Sequence, residues 1–301
     1  MTSIQAKLAV VLARLLRVKH KLGVTRLDRT IASDRRSGPS LPSNDMRSFF
    51  DVQEKTSSDR QVLTIRPRGV SAGHRHILYL HGGGFVMSIT ELHWDLIGKL
   101  SKRLDATVVV PLYPLAPEKT APDVFEFLLP LYADLIHEAG PKNVVLIGDS
   151  AGGNLALSLA MQARDVNLQQ PAGSVLLSPG LDFSFSDAKQ PALDRTDPIL
   201  DLEGARRLGL LYAGDLDVRD PMVSPLYGSL RGLAPLAVFT GTRDLVNPDA
   251  HRLQDKAKEE SIPLQLFEYS GMVHVWMLFP MPEANLALDQ IVGCVEEFTS
   301  N

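Results

Sequence analysis

Residues 143–154 read NVVLIGDSAGGN, and they constrain the fold of this chain more than any other stretch. Val144, Val145, Leu146 and Ile147 form a short unbroken apolar run, the pattern of a strand buried on both faces. Gly148, Ser150 and Gly152 then make a G-x-S-x-G, and residues 155–162 resume with good helix formers. Strand, tight turn and helix is the context in which that motif carries meaning. The turn must hold Ser150 at a strained backbone angle, so its neighbours two residues away must be small, and glycine has no Cβ to collide there. The expected result is an exposed Oγ with a helix N-terminus behind it, where backbone N–H groups favour developing negative charge. A G-x-S-x-G arises by chance roughly once in ten chains of this length at average glycine content. The motif therefore needs partners elsewhere in the chain.

The same alternation recurs on both sides of it. Residues 77–80 and 107–110 are short apolar strands, separated by a helical pattern over 91–104, and a second helix spans 124–138. Further strands fall at 174–177, 236–240 and 264–269, with helical stretches at 248–259 and 284–298. Residues 47–52 and 61–66 read as a first strand pair around a turn at 57–59, and the polar, Pro/Gly/Ser-rich run 33–44 as a loop or hinge. Strands alternating with helices predict an α/β fold with a mostly parallel sheet covered on both faces. Residues 181–218 interrupt the alternation with helix signals and no strand, and read as an insertion over the sheet's C-terminal edge, beside the N-terminal segment.

Composition narrows the function classes. A chain of 301 residues, 45% apolar and 22% charged, is ordinarily globular, and its net charge of −4 gives no global support for binding nucleic acid. The single cysteine, Cys294, rules out an internal disulfide and makes no metal cluster, which fits a reducing cytoplasm. Charge is unevenly spread: residues 1–48 carry +7, leaving −11 for the remainder. No run approaches the length of a membrane span, and the six-residue apolar run 8–13, closed by Arg14 with no cleavage site, is no secretory signal. Ile4, Leu8, Val11, Leu12, Leu15 and Leu16 share one helical face opposite Lys7, Arg14 and Arg17. A helix packed on its own domain is the expectation; a helix on a membrane surface is the competing reading.

The partners of the serine turn lie at other strand ends. His81-Gly82-Gly83-Gly84-Phe85 follows the strand 77–80 directly. Three consecutive glycines cost folding entropy, and one reason to keep them is close approach of backbone N–H groups to a ligand atom, as in an oxyanion hole. A flexible loop tip or a phosphate-binding turn is the alternative, but the Lys-Ser/Thr sequel of a phosphate loop is missing. A serine needs a base, and the base needs an orienting group. After Ser150 only His251 and His274 remain; His251 sits in a helical stretch beside Arg252, whereas His274 follows the strand 264–269 at the sheet's C-terminal edge, where ligands meet open sheets. For the acid, Asp244 follows the strand 236–240, while Asp249 sits where the next helix starts and has an ordinary role at its dipole. Asp149 reads as a brace for the turn.

HGGGF, Y-P-L-A-P-E and GDSAGGN, followed by an Asp and a His thirty residues apart, resemble the hormone-sensitive-lipase-like bacterial esterases, over a span from about Ile77 to the C-terminus. The resemblance implies an α/β-hydrolase fold, with residues 1–48 and 181–218 forming a helical cap over a core made of 49–180 and 219–301. It implies that Ser150 is the nucleophile, His274 the base and Asp244 its partner, with Gly83, Gly84 and Ala151 supplying oxyanion N–H groups. It implies a small-molecule ester substrate, no metal or organic cofactor, and a homodimer through the last strand, 264–269, while the absence of an extensive apolar lid in the sequence argues for short-to-medium acyl chains. Lactonase, carbohydrate deacetylase and amidase chemistry use the same machinery, and a non-hydrolytic receptor is a rival from another class. Phe85, Met87, Tyr113, Phe183, Phe185, Tyr212 and Trp276 are the expected pocket walls. The chain departs from the family pattern at Pro114, where an arginine is common, and at Val275-Trp276, where Gly-Phe is usual, so the walls are where its specificity is expected to differ.

Overall fold

A computed structural model describes residues 2–69 and 74–300. Three helices open the chain, α1 (Ile4–Leu15), α2 (Val18–Leu22) and α3 (Val24–Ser37), followed by a short α4 (Asn44–Phe49). The core then runs β1 (Phe50–Ser57), β2 (Arg60–Pro67), β3 (His76–Leu80), α5 (Glu91–Leu104), β4 (Thr107–Pro111), α6 (Ala121–Ala139), β5 (Val144–Asp149), α7 (Ala151–Asp165) and β6 (Gly173–Leu177). Helices α8 (Gln190–Asp194) and α9 (Leu202–Ala213) interrupt it before β7 (Leu236–Gly241), α10 (Asn247–Glu259), β8 (Leu264–Tyr269) and α11 (Pro282–Phe298). The strands form one eight-stranded sheet in the order β1-β2-β4-β3-β5-β6-β7-β8. Pairing is antiparallel for β1-β2 and β2-β4 and parallel from β4 onward. This is the α/β-hydrolase fold.

The topology follows from the sequence pattern. β5 and β7 are buried at every position, as their apolar runs require, whereas edge strand β1 is buried only at Phe50 and faces solvent from Gln53 to Thr56. The crossover from β3 to β4 runs one way along the sheet and that from β4 to β5 the other. Right-handed connections therefore put α5 and α6 on opposite faces. The loops that leave β3, β5, β7 and β8 at their C-terminal ends converge on one edge, and the site is built there.

Three stretches depart from expectation. Residues 47–49 belong to helix α4 rather than to the first strand, because Ser43 caps that helix through a 3.1 Å bond from Met46 N–H to its hydroxyl and Met46 anchors it in the core. Residues 33–37 extend helix α3 rather than opening a loop. Their polar side chains are a contact face: Asp34 accepts from the N–H and hydroxyl of Ser88, and Arg35 donates to the carbonyls of Val86 and Ala116 and to Glu118. The third is α1. It docks on the body through Ala6 and Val10, whereas the apolar stripe that was expected to pack inward faces solvent, from Val11 at 51% to Leu15 at 74% exposed. Ala9 and Ala13 pack partly against the body beside them.

The opening helices lie against the insertion between β6 and β7. Asp28 pairs with Arg207 of α9 at 2.7 Å, and Lys19 pairs with Asp194 of α8 at 2.7 Å. Together these two parts of the chain form a helical layer beside the site.

Candidate active site

Ser150 stands between β5 and α7 with φ 52° and ψ −119°, a conformation disfavoured for any residue with a side chain. Its N–H donates to the Leu177 carbonyl of β6 at 2.8 Å, which pins the turn. Close packing explains the flanking glycines: a Cβ at Gly148 would strike the Gly152 carbonyl, and one at Gly152 would strike the Leu80 carbonyl. Ser150 therefore projects where the strand ends, and α7 starts behind it.

His274 reaches Ser150 from the loop after β8. Its Nε2 lies 2.8 Å from Ser150 Oγ, and its Nδ1 lies 3.0 and 3.1 Å from the two oxygens of Asp244. An ionised carboxylate only accepts, so Nδ1 carries the ring proton and Nε2 is left to accept from the serine. Both His274 and Asp244 are buried. Burial pushes the imidazolium pKa down, but the charge and hydrogen bond of Asp244, with Asp197 and Asp149 nearby, outweigh it and hold His274 above its usual value. The two loops are fastened to each other: Arg243 N–H donates to the Met272 carbonyl and Gly271 N–H to Thr242 Oγ1. Ser178 Oγ accepts from Val275 N–H, fixing the residue after the histidine.

Gly83 and Gly84 face Ser150 across the same cavity, with φ 119° and 61°. Their N–H groups donate to no protein acceptor among the described residues, while the Gly83 carbonyl is held by Val86 and Met87. Ala151 is the first residue of α7, where the N–H has no intrahelical partner. Asp149 lies beneath this loop. Its Oδ1 accepts from Tyr79 OH at 2.8 Å and Gly82 N–H at 3.1 Å, and its Oδ2 faces His93 Nε2 at 3.4 Å. Although fully buried, it is held below the usual carboxylate range: His93 and Tyr79 offset the cost of burial. His81 stacks on Tyr113 and has its pKa lowered to about 4, first by burial and then by His93.

The cavity at Ser150 has a volume of about 220 Å³ and an apolar wall. Of the expected wall residues, Met87, Phe183 and Phe185 line it. Phe85, Tyr113, Tyr212 and Trp276 do not. Phe85 and Tyr212 stack on each other 3.8 Å apart in the core, Tyr113 donates its hydroxyl to the His81 carbonyl, and Trp276 packs on Tyr269. Phe279 and the aliphatic Leu208, Val246, Val275 and Leu278 complete the wall. Val18 and Leu22 of α2 also line it, a pair at i, i+4 spacing that marks one helix face.

Two further buried carboxylates lie beside the site, Asp197 and the alternative acid Asp249. Asp197, in the insertion, accepts from Ile199 and Leu200 N–H with one oxygen and from Leu245 N–H, next to Asp244, with the other. Burial first, and then the charge of Asp244, raise its pKa to about 6. Its signal in sequence is the Asp-Pro pair at 197–198, a turn initiator. Asp249 does more than start a helix. From α10 it accepts from Leu181 and Asp182 N–H and from Gln190 Nε2, and burial raises it to about 7. His251 pairs with Glu268 at the surface, 2.7 Å apart, away from the cavity.

Residues 77–278 match the α/β hydrolase fold family. An esterase of Acinetobacter venetianus is 32% identical over 267 residues, covering 83% of this chain and 88% of that one. The crystal structure of the esterase EstE5 soaked with p-nitrophenyl butyrate superposes with a TM-score of 0.89 at 27% identity, covering all of both chains. That of an esterase from the bacterial hormone-sensitive lipase family superposes at 0.86, with 25% identity over 99% of both. The chain thus belongs to the α/β-hydrolase fold family, among its hormone-sensitive-lipase-like esterases, and is a carboxylic ester hydrolase.

Proposed function

We propose that the chain hydrolyses short-to-medium acyl esters through an acyl-enzyme on Ser150. The observation that carries this is the unbroken chain from Asp244 through His274 to Ser150 Oγ, opening on a cavity faced by Gly83 and Gly84. In this reading Ser150 Oγ attacks the ester carbonyl as His274 Nε2 takes its proton. The carbonyl oxygen becomes an oxyanion against the N–H groups of Gly83, Gly84 and Ala151, donors that need no rearrangement as charge develops. The C–O bond then breaks, His274 returns the proton to the departing alcohol, and the acyl group stays on Ser150. Water attacks that ester with His274 again as base, releasing the acid and restoring the serine. Asp244 keeps the imidazole in the required tautomer and steadies its positive charge throughout.

The cavity supports the short-to-medium range. About 220 Å³ with apolar walls accommodates a short-to-medium acyl chain, and a butyrate ester was soaked into the related crystal. Residues 1–48 and 181–218 act as the cap that closes it. The test joins two measurements: a fluorophosphonate should add its mass at Ser150, and hydrolysis of nitrophenyl esters should peak at short acyl lengths. An unlabelled Ser150, or a maximum at the longest chains, would overturn the mechanism or the substrate range respectively.

A further inference from the structure

Helix α1 has three distinct sides. Ala6 and Val10 face the body and are buried, with Ala9 and Ala13 partly so. Its first turn is clamped there, since Ser3 N–H and Oγ donate to the two carboxylate oxygens of Glu283 in α11 at 2.6 and 2.7 Å. The opposite side is the stripe Ile4, Leu8, Val11, Leu12, Leu15 and Leu16, every member more than half exposed. Lys7 and Arg14, expected opposite the stripe, instead flank it, each one turn from Val11, with Arg17 and Lys21 just beyond, and none of the four pairs with a carboxylate among the described residues. The helix is fixed on the body by its small residues, so its leucines serve no internal packing.

We propose that this face docks on a lipid surface carrying anionic headgroups. An apolar stripe bordered by lysine and arginine is what an interfacial helix needs: the leucines enter the acyl boundary and the cations meet lipid phosphates. Charge complementarity selects that occupant over a second copy of the chain. Lys7, Arg14, Arg17 and Lys21 make the border of this face basic, and pairing two such faces would bring like charge together. Position supports it as well. The exposed stripe ends at Leu16, and the next apolar residues, Val18 and Leu22, line the cavity at Ser150. A docked α1 therefore sets the cavity beside the layer in which an acyl ester dissolves. No helix among the described residues is long and apolar enough to cross a membrane, so the contact is with the surface.

The test is flotation of the full chain with vesicles of phosphatidylcholine alone or mixed with phosphatidylglycerol. Binding should favour the mixed vesicles and weaken with salt. Lys7→Gln and Arg14→Gln should each lower that binding about fivefold. A triple Leu8→Ser, Leu12→Ser, Leu15→Ser variant should lose it by more than about a hundredfold. All should hydrolyse a soluble short ester like the parent and unfold at the same temperature. That activity reads the proposed chemistry separately, so failure of docking and failure of the esterase reading are distinguishable. Equal, negligible binding to both vesicles overturns the proposal. So does a dimer in sedimentation that the triple variant breaks, since the stripe would then be an interface between copies.

Discussion

The strand-end loops and the helical layer beside them are built on different physics. Around Ser150 each position follows from short-range contact: a carbonyl sits where a Cβ at Gly152 would be, β6 takes the serine's N–H, and the loops after β7 and β8 are tied together. The helical layer is instead hung on buried carboxylates, Asp197 and Asp249, and on ion pairs such as Asp28–Arg207. Backbone sterics do not titrate, and buried carboxylates do. The reacting groups are thus carried on loops fixed largely by backbone contact, while the layer beside them hangs on groups that titrate.

That contrast breaks first at the serine. Ser150→Ala should lower ester turnover by about four to six orders of magnitude while the melting temperature holds, because the turn geometry does not depend on Oγ. Retained turnover would put the nucleophile elsewhere. Asp149→Asn comes next. His93 Nδ1 accepts from Thr90 N–H, so Nε2 carries the proton that points at Asp149. An amide nitrogen there opposes that donor and loosens the glycine loop. A loss of about a hundredfold in kcat with a small change in KM is expected, since misplaced oxyanion donors cost the transition state more than the ground state. A rise in KM alone would make Asp149 a binding support.

Asp249→Asn tests the layer by its stability. In the folded chain this carboxyl holds its proton to about pH 7, whereas an unfolded aspartate releases it near pH 4. The stabilisation is therefore present in full below about pH 4 and is lost as pH rises to about 7. An asparagine can still accept from Leu181 and Asp182 N–H but cannot ionise. Urea unfolding at pH 5 and at pH 8 should show the variant gaining on the parent with pH, by on the order of a few kcal/mol. A difference independent of pH would mean that Asp249 is already ionised at pH 5.

The two regions also differ in how far they are legible in sequence. Helix 91–104 and strand 264–269 match residue for residue, and the motifs that meet at the cavity are those whose local pattern is strand, turn and special residue. Contacts between distant segments leave no such pattern. Asp34 and Arg35 read as a polar loop because their partners, Ser88, Val86, Ala116 and Glu118, lie more than fifty residues away. The stripe on α1 has the same periodicity whichever way it faces, and only the tertiary fit of Ala6 and Val10 decides. Aromatic size misled for the pocket: Phe85 and Tyr212 are conspicuous in sequence, yet they fill the core together.

The smallest effect is expected where the two regions touch. Asp197 belongs to the insertion, yet its Oδ2 takes the N–H of Leu245 beside Asp244, and its charge is one of those that raise His274. His274 must be neutral to act as base, so activity rises as pH passes its pKa, and the acid limb should lie above the pH of about 6.5 that marks an ordinary histidine. Asp197→Asn removes one of the charges that favour the imidazolium. The limb should then move to lower pH, while the plateau rate at alkaline pH changes by less than about tenfold because Asp244 still orients the ring. A purely structural role predicts the reverse pattern, a lowered plateau with the limb unmoved. Measuring kcat/KM against pH for both proteins separates the two. It shows whether the helical layer sets only the shape of the site or also the pH at which its base works.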